Sequence, residues 1–106
     1  MIDQINGSVF DEKVRKAARP VAVDFYGKCC VPCTKLLPVL EVVAVEMAGR
    51  IDFVKIDVED AGAIAAEFGV TTVPTIIVFK DGWPVDKVEG LLSKHSLVSR
   101  IEAVTS

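Results

Sequence analysis

The sequence predicts an α/β fold, a mostly parallel β-sheet covered by helices on both faces. Three observations carry this. Apolar runs rich in β-branched and aromatic residues, Val21–Tyr26, 51–58 and 75–79, read as buried strands. Between them lie stretches 36–47 and 61–68, with apolar residues at helical spacing. The chain has 106 residues, 51% hydrophobic and 25% charged, which suits one domain (1–106) with a single buried core.

Taken in order, residues 2–5 form a possible short strand closed by Asn6-Gly7. Ser8 with Asp11 three residues on resembles a capping box. Phe10, Val14, Ala17 and Ala18 then follow helical spacing until Pro20 stops the helix. Val21–Tyr26 is the first strong strand. Leu36, Leu40, Val43, Ala44 and Met47 make one face of a long helix, with Gly49 as its C-terminal cap. Pro38 lies inside it and is expected to kink it. Residues 51–58 are the next strand and 61–68 a short helix ended by Gly69. The run 75–79 is a central strand. Asp81-Gly82 signals a hairpin turn, and 85–88 its antiparallel partner, at an edge because Pro84 opens it. Leu97, Val98, Ile101 and Val104 give a last helix its apolar face.

Composition narrows the function. Net charge is −3, and no basic block or basic-aromatic stripe points to nucleic acid. No apolar run is long enough to span a membrane. Met1-Ile2-Asp3-Gln4 has no secretory pattern, so a cytoplasmic setting is expected. The three cysteines fall within five residues, which is not a disulfide scaffold. In such a setting a close cysteine pair is more often catalytic or metal-binding than structural.

That pair is Cys30-Val31-Pro32-Cys33. It sits where the strand Val21–Tyr26 hands over to the long helix. Thiols there feel the positive end of the helix dipole and its unpaired N–H groups, both of which favour the reactive thiolate. A two-residue spacer lets the sulfurs meet across a first helical turn. Pro32 lacks an N–H that has no intrahelical partner at a helix start, and it stiffens the loop. This is the pattern of dithiol–disulfide redox chemistry. A second anchor is Asp24, a carboxylate out of character in a buried strand. Desolvation should raise its pKa. On its own it is read equally as a strand-end cap, as a partner of Lys55, or as a proton-handling group. Read alone, Val73-Pro74-Thr75 is an ordinary trans proline starting a strand.

Taken together, Val23-Asp24-Phe25-Tyr26, Cys30-Val31-Pro32-Cys33, Pro38, Lys55-Ile56-Asp57, Val73-Pro74-Thr75 and Phe79-Lys80-Asp81-Gly82 followed by Gly90 resemble the thioredoxin family over nearly the whole chain. The resemblance implies a mixed five-stranded sheet, order 1-3-2-4-5, flanked by four helices, and reduction of protein disulfides. It makes Cys30 the nucleophile, Cys33 the resolving thiol and Asp24, neighboured by Lys55, a proton relay for the deeper thiol. It implies a cis Val73–Pro74 bond facing the cysteines, with the Val73 backbone offering hydrogen bonds to an extended substrate and Gly90 leaving room for it. Val31, Pro32, Val73, Pro74 and Gly90 would form the substrate-binding face. No bound cofactor is implied; electrons come from a thioredoxin reductase, and the protein acts as a monomer on disulfide-containing proteins.

Three positions depart from the family pattern. Cys29 stands where a Trp usually precedes the nucleophile, Val31 where a Gly follows it, and Thr34 where a Lys follows the second cysteine. Cys29 reads either as a bystander thiol or as a regulatory one. A different class of function is a thiolate-rich site on the same scaffold, in which Cys29, Cys30 and Cys33 of two chains ligate an iron–sulfur cluster or a soft metal. A non-catalytic adaptor is a third. His95 and Trp83, the only residues of their kinds, read as solvated and as edge-covering or exposed, respectively, and the acidic cluster Asp57, Glu59, Asp60 as a cap for the helix that follows.

Overall fold

The computed structural model describes residues 2–105. Five strands, β1 (Asp3–Ile5), β2 (Val21–Tyr26), β3 (Asp52–Asp57), β4 (Thr75–Lys80) and β5 (Trp83–Glu89), form one sheet in the order β1-β3-β2-β4-β5. Three helices accompany them: α1 (Val31–Glu46), α2 (Gly62–Glu67) and α3 (Lys94–Thr105). A fourth helical segment, between β1 and β2, is a 3₁₀ turn (Gly7–Val9) followed by a π-helical turn (Asp11–Arg15).

The sheet is mixed. β3 is parallel to β1 and β2, whereas β4 runs antiparallel to both β2 and β5. The mostly parallel sheet expected from strand–helix alternation is therefore corrected. The connection through α2 leaves the chain at the end of the sheet where β3 stops: Thr75, which opens β4, and Ile56, near the end of β3, both stand opposite Phe25 of β2. A strand that starts there runs back along the sheet, antiparallel to β2.

Alternation along the strands sorts side chains into two cores. Ala22, Phe53, Ile76 and Val78 pack with Leu36, Leu40, Val43 and Met47 of α1 and with Leu97 and Ile101 of α3. On the other face Val21, Val23, Phe25, Val54, Ile56, Ile77 and Phe79 pack with Phe10, Val14, Ala61 and Ala65. Leu36, Leu40 and Val43 are at most 1% exposed, so each contributes about 1.5–3 kcal/mol of burial. β2 is buried from Val21 to Phe25, including Asp24.

Several local readings change. The first helical segment is capped by Asn6, whose side chain accepts from the Ser8 N–H, so Ser8 is not the cap. That segment ends at Arg15, well before Pro20. α1 begins at Val31, not near Leu36, because the cysteine motif itself builds its first turn, and it runs through the exposed Pro38 to Glu46 without a break. α2 has no side-chain cap; the Asp57 carboxylate instead accepts from the Glu59 N–H within the preceding turn. The hairpin stands as expected. Asp81 (φ 54°) and Gly82 (φ 81°) both lie in the left-handed region that a two-residue turn of this kind requires. β5 is an edge strand containing Pro84.

Candidate functional site

The site is assembled where β2 gives way to α1. Cys30 has an extended backbone and caps α1 through sulfur: its Sγ accepts from the Cys33 N–H at 3.2 Å. Pro32 falls in the first turn, where its missing N–H costs little. Thr34 closes the turn, its N–H and hydroxyl both donating to Cys30 O at 3.2 Å. Cys30 and Cys33 are joined as a disulfide, with Cα atoms 5.2 Å apart. Cys30 is half-buried, Cys33 is 6% exposed, and Cys29 is free and exposed. One sulfur thus faces outward beside helix N–H groups while its partner lies a turn inside.

The Val73–Pro74 bond is cis, and Val73 O lies 3.7 Å from Cys30 Sγ. Two contacts hold this loop. The buried Thr75 hydroxyl donates to Thr72 O at 2.7 Å, and the Gly90 N–H donates to Pro74 O at 2.8 Å. Gly90 has φ +88°, and a Cβ there would meet nothing within 4 Å. Its lack of a side chain suits the left-handed backbone conformation, and the space beside it is open. Of the expected apolar face, Val31 (64% exposed) and Pro32 are open to solvent and Val73 is partly so. Pro74 is buried in the free chain.

Asp24 lies on the same face of β2 as Ala22, which packs against α1, the helix that carries Cys33. It is 4% exposed, and its Oδ1 has no hydrogen-bond partner among the described residues. Burial pushes its pKa up to about 7, while the Lys55 ammonium works in the opposite direction. Lys55 stands opposite Asp24 in the β2–β3 register. The expected pairing is thus a cross-strand neighbour relation and not a closed ion pair, since the Lys55 ammonium sits 5.7 Å from the centre of the Tyr26 ring. A cavity of about 260 Å³ joins these groups, lined by Asp24, Tyr26, Lys28, Cys33, Thr34 and Lys55 among others. Asp24 and Cys33 therefore border one space large enough for water.

Some of this was not visible in the sequence. Lys28 forms an ion pair with Asp57 across the turns (Nζ to Oδ2, 3.5 Å). Thr75 and Gly90 anchor the loop of Val73 through contacts that no local spacing encodes. Gly27 brings its backbone close to Val73: a Cβ at 27 would stand 3.3 Å from Val73 Cγ2.

A buried carboxyl and a buried sulfur around one cavity, and a half-buried sulfur bridged to the latter at a helix start, define a thiol–disulfide oxidoreductase site. Among the described residues, no group of three or more His, Cys, Asp or Glu side chains is arranged to hold a metal, and two of the three thiols are committed to each other. The cluster-binding alternative is not favoured. Comparison with known proteins agrees. The thioredoxin family model matches residues 1–103. The chain is 41% identical over 101 residues to a thioredoxin of Staphylococcus haemolyticus and 40% identical over 101 residues to one of Staphylococcus aureus, covering 95% of both partners in each case. It is also 40% identical over 96 residues to the chloroplastic thioredoxin Y of Oryza sativa, covering 91% of this chain and 57% of that one. The chain belongs to the thioredoxin family. No helix among the described residues is long and apolar enough to cross a membrane.

Proposed function

We propose that the protein reduces disulfides in other proteins, with Cys30 as nucleophile. The observation that carries this is the position of Cys30 Sγ, capped by the Cys33 N–H at the start of α1 and adjacent to Val73 O. In the dithiol form the same N–H and the helix dipole favour the Cys30 thiolate. The thiolate attacks one sulfur of the substrate, forming a mixed disulfide and releasing the other sulfur as a thiolate. Cys33 then gives its proton to the carboxylate of Asp24 across the shared cavity and attacks Cys30 Sγ. The Cys30–Cys33 bond closes, the mixed disulfide breaks, and two electrons have passed to the substrate.

Lys55 tunes Asp24 through its charge. Val31, Pro32 and Val73 meet the substrate, and the backbone of Val73 pairs with it as an added strand would. Gly90 and Pro74 hold that loop in place. The family resemblance supports a thioredoxin reductase as electron donor, disulfide-bearing proteins as substrates, a cytoplasmic setting, a monomer and no bound cofactor.

Cys30→Ser abolishes disulfide reduction in this reading, and Cys33→Ser traps mixed disulfides through Cys30. Mass spectrometry of the adducts locates the linkage. Failure of Cys33→Ser to trap, together with loss of activity in Cys29→Ser, would reassign the nucleophile. The midpoint potential of the Cys30–Cys33 couple tests the direction: a low value fits a reductase, a high one an oxidant.

A further inference from the structure

Asp57 ends β3 with its side chain 1% exposed. Its Oδ1 accepts from the Glu59 N–H at 2.8 Å, and its backbone O accepts from the N–H groups of Asp60 and Ala61. The turn into α2 is built around it. Its Oδ2 is buried without a hydrogen-bond partner among the described residues. The charge that faces this oxygen belongs to Lys28, whose Nζ lies 3.5 Å from it and 3.9 Å from Asp60 Oδ1. An exposed ion pair contributes little, but a buried carboxylate stripped of its cation is costly. Lys28 is therefore held where it is by Asp57.

Lys28 also stands two residues before the nucleophile. Tyr26 O is bonded to the Val58 N–H, and Cys30 O to the Thr34 N–H. Between these two anchors, the Lys28 ion pair is the polar tether of residues 27–29 among the described residues. Lys28 lines the same cavity as Asp24 and Cys33. We propose that Lys28 is a positioning residue: its ion pair with Asp57 latches the segment 27–29 to the β3–α2 turn and thereby sets how Cys30 meets a substrate disulfide. This rests on the reading of Cys30 as nucleophile.

The test uses a Cys29→Ser parent, so that alkylation reports Cys30. In its reduced form, Lys28→Gln lowers both the rate of Cys30 alkylation by iodoacetamide and kcat/KM for insulin reduction with dithiothreitol about five-fold. Lys28→Arg retains the pair and stays within about two-fold of the parent. Asp57→Asn loses the same factor as Lys28→Gln, and the double variant loses no more than either. Unchanged rates in Lys28→Gln, equal losses in the Gln and Arg variants, or fully additive losses in the double variant would overturn the latch. If position 30 of the parent alkylates no faster than an ordinary exposed thiol, the nucleophile assignment itself fails, and the latch with it.

Discussion

Replacing Asp24 by Asn should stabilise the protein, and by an amount that depends steeply on pH. Asp24 is 4% exposed, one carboxyl oxygen lacks a hydrogen-bond partner among the described residues, and burial holds its pKa at about 7 against an ordinary 3.8. The folded state thus keeps the carboxyl proton at pH values where the unfolded chain has released it. Between 3.8 and about 7 the folded form binds more protons, so stability falls as pH rises through that window. Each pH unit corresponds to about 1.4 kcal/mol, and the whole window to about 4 kcal/mol once pH exceeds both values. That is a large part of the 5–15 kcal/mol that holds a domain together. Asn has the same shape and no charge to desolvate. Urea unfolding of the oxidised protein at pH 4 and pH 9 should show Asp24→Asn gaining about 4 kcal/mol more at the higher pH. Parallel stability–pH curves for the two proteins would show that the carboxyl titrates alike folded and unfolded, and the account of its burial would be wrong.

Two other outcomes follow from the geometry. Gly49 and Gly82 both have positive φ, but a Cβ at 82 would stand 2.5 Å from Arg15 O whereas one at 49 meets nothing within 4 Å. Ala at either position bears the conformational cost of about 1–2 kcal/mol, and Gly82→Ala should lose at least about 1 kcal/mol more in urea unfolding; equal losses would mean that the hairpin shifts freely away from Arg15. Trp83, 74% exposed at the hairpin and far in sequence from the cysteines, should fluoresce almost alike in the dithiol and disulfide states, and a large redox-dependent change would reveal a rearrangement reaching β5.

What could be read from the chain alone was whatever local physics decides. The apolar runs of β2 and β4, the helical spacing of Leu36, Leu40 and Val43, and the Asp81-Gly82 turn each carry their signal within a few residues. So does the cysteine pair, whose two-residue spacing suits a first helical turn, and the anomaly of Asp24 in an apolar strand. Strand direction did not follow from alternation, because it depends on the end of the sheet at which the connection through α2 leaves the chain. Nor did the start of α1, since Cys30 becomes a cap only when its sulfur meets the Cys33 N–H. Only the tertiary structure placed Val73 O beside Cys30, tied Pro74 to Gly90, put Asp24 and Cys33 around one cavity and gave Lys28 to Asp57. These pairs are separated by 9 to 43 positions in the chain. They exist because sheet register and the packing of α1 bring distant residues into contact, and that is information no short window of sequence contains.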